Sequence, residues 1–124
     1  GGIYFDQTSG TNSLYTNTTG IDTAANPGAK GISDINPNLF NGNADIKLWG
    51  CNTLNGDNSF GHQLGEHIGN NVTGATSGTQ FSGNPDGPAG AGLPNPVPDN
   101  YTGDIYLVPD NGEWDTAIYS PMEK

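Results

Sequence analysis

The sequence predicts an α/β fold: a small, mostly parallel sheet with few flanking helices, long Gly/Pro/Asn loops and a C-terminal β-hairpin. Three observations predict it. Residues 46–76 read as strand, helix, strand, which is the length of one βαβ crossover with parallel strands. Residues 104–119 hold two β-prone runs around Pro109-Asp110-Asn111-Gly112, the pattern of a hairpin. Only 31% of the 124 residues are hydrophobic, against 20 glycines and nine prolines. A small core under long, ordered loops is therefore expected.

Taken in order, Ile3-Tyr4-Phe5 is a short β-prone run. Residues 6–45 are mostly Thr, Asn, Ser, Gly, Asp and Pro, with turn signals at Asn26-Pro27-Gly28 and Asn36-Pro37-Asn38. Within this arm, residues 33–40 suit a helical turn, with Leu39 and Phe40 pinned to the core. So long an arm is expected to be packed rather than free. Residues 46–50 are apolar apart from Lys47 and predict a largely buried strand. Asn58 or Ser59 can cap the helix that follows, because a short side-chain oxygen accepts from a free backbone N–H. Phe60, Leu64 and Ile68 form the i, i+4, i+8 ladder of one helix face. Gly61 and Gly65 lie beside that face, weaken the helix by about 1 kcal/mol each, and permit close approach to a sheet. Gly69-Asn70 stops the helix, and Val72 to Thr76 is the next strand. Residues 77–100 contain five prolines and read as a fixed, extended surface loop. No internal repeat or domain boundary is visible, so residues 1–124 read as one domain. The Gly-Gly start reads as a processed piece or the C-terminal part of a longer protein.

The charge narrows the partners. Thirteen acids stand against three lysines and no arginine, for a formal charge of −10. Phosphate recognition relies on Arg and Lys, so no nucleic acid and no anionic membrane surface is expected. No apolar run approaches the roughly 20 residues that cross a bilayer. A protein or peptide partner or substrate fits better, or the rest of a larger parent chain. The Asn-, Gly- and Thr-rich composition resembles secreted or cell-surface bacterial proteins.

In open parallel sheets, ligands bind beyond the carboxyl ends of the strands. Cys51, the only cysteine, lies at such an end before a helix N-terminus. Free N–H groups and the helix dipole there favour thiolate. The alternative is a small buried hydrophobe, the ordinary fate of a lone cysteine. A nucleophilic cysteine needs a base, and the two histidines, His62 and His67, both follow it on the helix. His62 points away from the apolar face and is placed to lean over the N-terminal end; His67 sits at the border. The acids are scattered through Asn/Gly loops, which can cage Ca²⁺, yet no EF-hand pattern occurs. No cofactor is expected, with Ca²⁺ held open. Nucleotide-binding glycine patterns, CxxC pairs, HExxH and GxSxG are all absent. Trp49, Tyr4, Phe40, Phe81, Tyr101, Tyr106 and Trp114 read as core or loop anchors.

The stretch IKLWGCN…NSFGHQLGEHIGNNVTGAT resembles the caspase-like (clan CD) α/β domains. It looks most like bacterial members near the C-termini of large secreted, surface or RHS/YD-repeat proteins. The shared pattern is an apolar strand ending in Gly-Cys-Asn, a Gly-rich turn, Ser-Phe opening a helix with small residues, then a strand ending in Ala-Thr. Gly112-Glu113-Trp114 resembles the Gly-x-Trp that closes such domains. The resemblance implies that Cys51 is the nucleophile and that a His-Gly pair ends the preceding strand. Here that strand ends in Asp6-Gln7, and no histidine precedes Cys51. The expectation is an effector- or toxin-like domain with a thiol hydrolase or peptidase-like centre at Cys51. Its base would be His62, a partner residue or an upstream group. The alternative is a catalytically inactive, acidic binding or surface module.

Overall fold

The computed structural model describes residues 2–4 and 12–119. Strands β1 (Gly2–Tyr4), β2 (Asn12–Tyr15) and β3 (Gly28–Gly31) lead into 3-10 turns at Ile32–Asp34 and Pro37–Leu39. Strand β4 (Ile46–Lys47), helix α1 (Phe60–Ile68) and strand β5 (Val72–Ala75) follow. The chain ends with β6 (Thr79–Ser82), β7 (Tyr106–Pro109) and β8 (Trp114–Ala117). Asp6 and Gln7 lie outside the described residues.

The α/β class holds, but the sheets are small and mixed rather than mostly parallel. One sheet has the order β1-β2-β3, another β4-β5-β8, and β6 pairs with β7 alone. Each three-stranded sheet contains one parallel and one antiparallel pair. The strand–helix–strand unit forms as the sequence predicts: β4 and β5 are parallel neighbours, with Ile46 opposite Val72 and α1 between them in sequence.

The predicted C-terminal hairpin does not form. β7 pairs antiparallel with β6, and β8 pairs antiparallel with β5. Residues 106–117 therefore run as one bent strand along residues 72–82, not as two strands folded on each other. Pro109-Asp110-Asn111-Gly112 is the bend. Thr76 N–H donates to Glu113 O and Asp110 N–H donates to Gly78 O, so Asn111 and Gly112 stand opposite the single residue Ser77. That is a β-bulge. It uses the same residues as a turn, and only pairing with residues 72–82 decides between them. The same pairing corrects the loop assignment for residues 77–100, whose first six residues include β6.

The helix has the ends its sequence specifies. Ser59 Oγ accepts the His62 N–H at 3.3 Å, and Gly69 closes the helix in the left-handed region at φ 73°. Leu64 and Ile68 are buried and join Ile32 in the core, with Ile35, Phe40, Ile46, Leu48 and Phe60 packed around them. Two core expectations fail. Leu39 is 77% exposed, although Phe40 beside it does pack inward. The segment after Ile46 is half-covered rather than buried, since Lys47 and Trp49 project outward while Ile46 and Leu48 face α1. The two-residue period of an edge strand explains the alternation.

Candidate active site

After Leu48, whose N–H donates to Thr73 O at 2.8 Å, the chain leaves β5 and hooks back along it. Asn52 N–H donates to Ser77 O at 2.7 Å, and Leu54 N–H donates to Ala75 O at 2.9 Å. The Thr53 hydroxyl accepts the Ala75 N–H at 3.0 Å. Gly61 and Gly65 make room for neighbours other than the predicted sheet face. A Cβ on Gly61 would stand 2.6 Å from Thr53 O, while one on Gly65 would stand 2.6 Å from the Tyr119 ring. The helix start thus seats the hook, and the hook carries Cys51 beyond the carboxyl end of β4.

Cys51 is exposed, so it is not a small core hydrophobe. Its sulfur accepts the Thr79 N–H at 3.3 Å and lies 3.2 Å from the Thr79 hydroxyl oxygen. The hydroxyl, then the amide, hold the thiol below its usual pKa, against weaker opposition from desolvation and the Asp110 charge. Hydrogen bonds donated to sulfur favour the thiolate, the reactive form. The donors differ from those the sequence suggested. At the helix start, Gly61 N–H is used on Thr53 O and His62 N–H on Ser59 Oγ. Thr79, in the stretch read as loop, supplies what the helix was expected to give.

Neither histidine is hydrogen-bonded to the sulfur. His62 Nδ1 lies 3.0 Å from the Tyr119 hydroxyl, with the two rings edge-to-face at 6.2 Å. His67 donates its Nε2–H to Ile35 O at 2.8 Å, which ties the last turn of α1 to the arm before β4. Among the described residues, no three His, Cys, Asp or Glu groups gather as metal ligands do.

An open cleft of about 780 Å³ runs beside Cys51. Its walls include Thr16, Lys47, Trp49, Phe60 and Gln63. Trp49, expected in the core, is 63% exposed. The Lys47 ammonium lies 4.0 Å from the Trp49 ring centroid and 4.7 Å from that of Trp114, the two rings meeting edge-to-face at 5.3 Å. This cation–π corner fixes a positive charge on the wall of a cleft in an acidic protein. Its sequence signal was the Lys-x-Trp alternation at residues 47–49; Trp114 joins it only through the β5–β8 pairing.

No family model, curated protein or solved structure gives a significant match to this chain. The described residues bring together a thiol, the Thr79 amide and hydroxyl that lower its pKa, a cation and an exposed indole. His62, placed with Cys51 by the sequence argument, is instead committed to Tyr119.

Proposed function

We propose that the chain is an acyl-transfer domain, a thiol hydrolase of peptidase type with Cys51 as nucleophile. It would act as an effector-like part of a secreted bacterial protein. The observation that carries the reading is the Cys51 sulfur, open to solvent in a cleft and bonded by the amide and hydroxyl of Thr79. A thiol held below its usual pKa carries more thiolate at neutral pH and depends less on a separate base. The sulfur–carbonyl bond forms, the leaving group departs with a proton from water, and a second water hydrolyses the thioester. The resemblance of residues 46–76 to caspase-like domains supports the same assignment.

Iodoacetamide at pH 7 tests it. Cys51 in the folded protein is expected to alkylate faster than in the denatured chain, because the native thiol is the more ionised. A folded rate at or below the denatured rate removes the nucleophile and the reading with it. A second reading, an inactive acidic binding module, draws on one observation: the His62 ring is engaged with Tyr119 rather than with Cys51. It predicts a reactive thiol that turns over no ester or peptide. Under the first reading, hydrolysis of a thioester or peptide pool disappears in Cys51→Ala.

A further inference from the structure

Strands β6 and β7 pair along their whole length, with Thr79 opposite Pro109 and Phe81 opposite Leu107. Opposed residues share a face, and side chains alternate along a strand. Thr79, Phe81, Leu107 and Pro109 therefore project from one side of the pair. Ser82 and Val108, on the other side, are buried. On the outward side Phe81 is 63% exposed. None of the eight paired residues is an acid or a lysine, in a chain with thirteen acids. The outward side is thus an uncharged, largely apolar row.

The row begins at the thiol. The Thr79 hydroxyl and N–H meet the Cys51 sulfur at 3.2 and 3.3 Å, and Phe81 is the next residue on the same face, roughly 7 Å further along the strand. Neither Thr79 nor Phe81 lines the cleft that holds Lys47 and Trp49. The sulfur therefore stands between two different surfaces, and acyl transfer has two groups to place, the acyl group and the leaving group. We propose that the Phe81–Leu107 row receives the acyl group, and that the substrate is a straight-chain acyl thioester. This rests on Cys51 acting as nucleophile and names the substrate class of that site. The sulfur bonds to the acyl carbonyl carbon, and the carbon–sulfur bond of the thioester breaks. The departing thiol takes the bonding pair and a proton from water, and a second water frees the acid. Phe81 touches no reacting atom; it sets specificity by covering the chain. An alkyl chain suits this row because it asks for no hydrogen bonds. The backbone groups beside the row are already used: Thr79 N–H on the sulfur, and Phe81 O on Gly90 N–H at 2.7 Å.

Butanoyl, hexanoyl and octanoyl thioesters of N-acetylcysteamine test the proposal on the intact chain. Intact mass gives the first-turnover rate of Cys51 acylation, relative to the same thioester on the denatured chain. That ratio is expected to rise roughly tenfold from butanoyl to octanoyl, for four added methylenes covered on one side only. Phe81→Ser should bring the octanoyl ratio down to about the butanoyl one, whereas Phe81→Leu restores an apolar surface and keeps the gain. If Phe81→Ser does not fold, Leu107→Ser reads the same row from the opposite strand. A ratio that does not grow with chain length overturns the proposal, as does a gain that Trp49→Ser removes and Phe81→Ser leaves. In either case rapid labelling by iodoacetamide keeps the nucleophile standing. Slow labelling by iodoacetamide takes both down.

Discussion

Asn70 is the side chain whose loss should most damage the frame around the cleft. It is fully buried, directly after the glycine that ends α1. Its amide donates to Asn41 O at 2.6 Å and to Ala44 O at 2.9 Å, so it pins the loop that enters β4. In Asn70→Ala both bonds go, at about 1 kcal/mol net each, and the half-buried Ala44 carbonyl, losing this donor, adds about 1 kcal/mol more. The expected loss is about 3 kcal/mol. For a chain of this length that lowers the melting temperature by about 12 °C, taking roughly 4 °C per kcal/mol. Chemical denaturation should give the same loss with an unchanged denaturant slope. Asn70→Asp should be worse at neutral pH, since a carboxylate would face two carbonyl oxygens. Its carboxyl pKa would be raised in the fold, so the variant recovers stability as pH falls and loses it as pH rises. A loss below about 1 kcal/mol in Asn70→Ala, or no pH dependence in Asn70→Asp, would refute the claim that this amide holds the loop.

Two further substitutions test the site and the hook. Thr79→Val keeps the amide bond to Cys51 and removes the hydroxyl, the larger cause of the lowered thiol pKa. The pH midpoint of alkylation should move upward with the fold intact. A lowered pKa in the fold contributes stability above the unfolded thiol pKa and loses it as pH falls through the folded value; the valine variant narrows that window. Gly61→Ala gains about 1 kcal/mol of helix propensity but forces a Cβ to within 2.6 Å of Thr53 O and 2.7 Å of Leu54 Cδ2. Overpacking of this kind costs about 1–3 kcal/mol. A small net destabilisation should appear in the melt, together with a changed rate of Cys51 alkylation as the hook shifts.

The sequence by itself determined the features set by local chemistry. Ser59 caps the helix because its oxygen reaches the His62 N–H, and Gly69 ends it because that position needs a positive φ. Phe60, Leu64 and Ile68 mark the inward face through helical period alone. That Cys51 follows β4 before a turn was also legible, although β4 ends at Lys47 rather than Gly50, and whether the sulfur is buried or exposed was left open by the sequence. What the tertiary structure decided was pairing between residues far apart in the chain. Pro109-Asp110-Asn111-Gly112 suits a turn or a bulge equally well, and the choice was made by residues 72–82. That same pairing brought Thr79 to the Cys51 sulfur across 28 positions and Trp114 to Lys47. Tyr119 drew His62 away from the thiol across 57 positions. Turn propensity and helical period act over a few residues. A strand's partner and a sulfur's donor are fixed only when the whole chain has found which edges to bury.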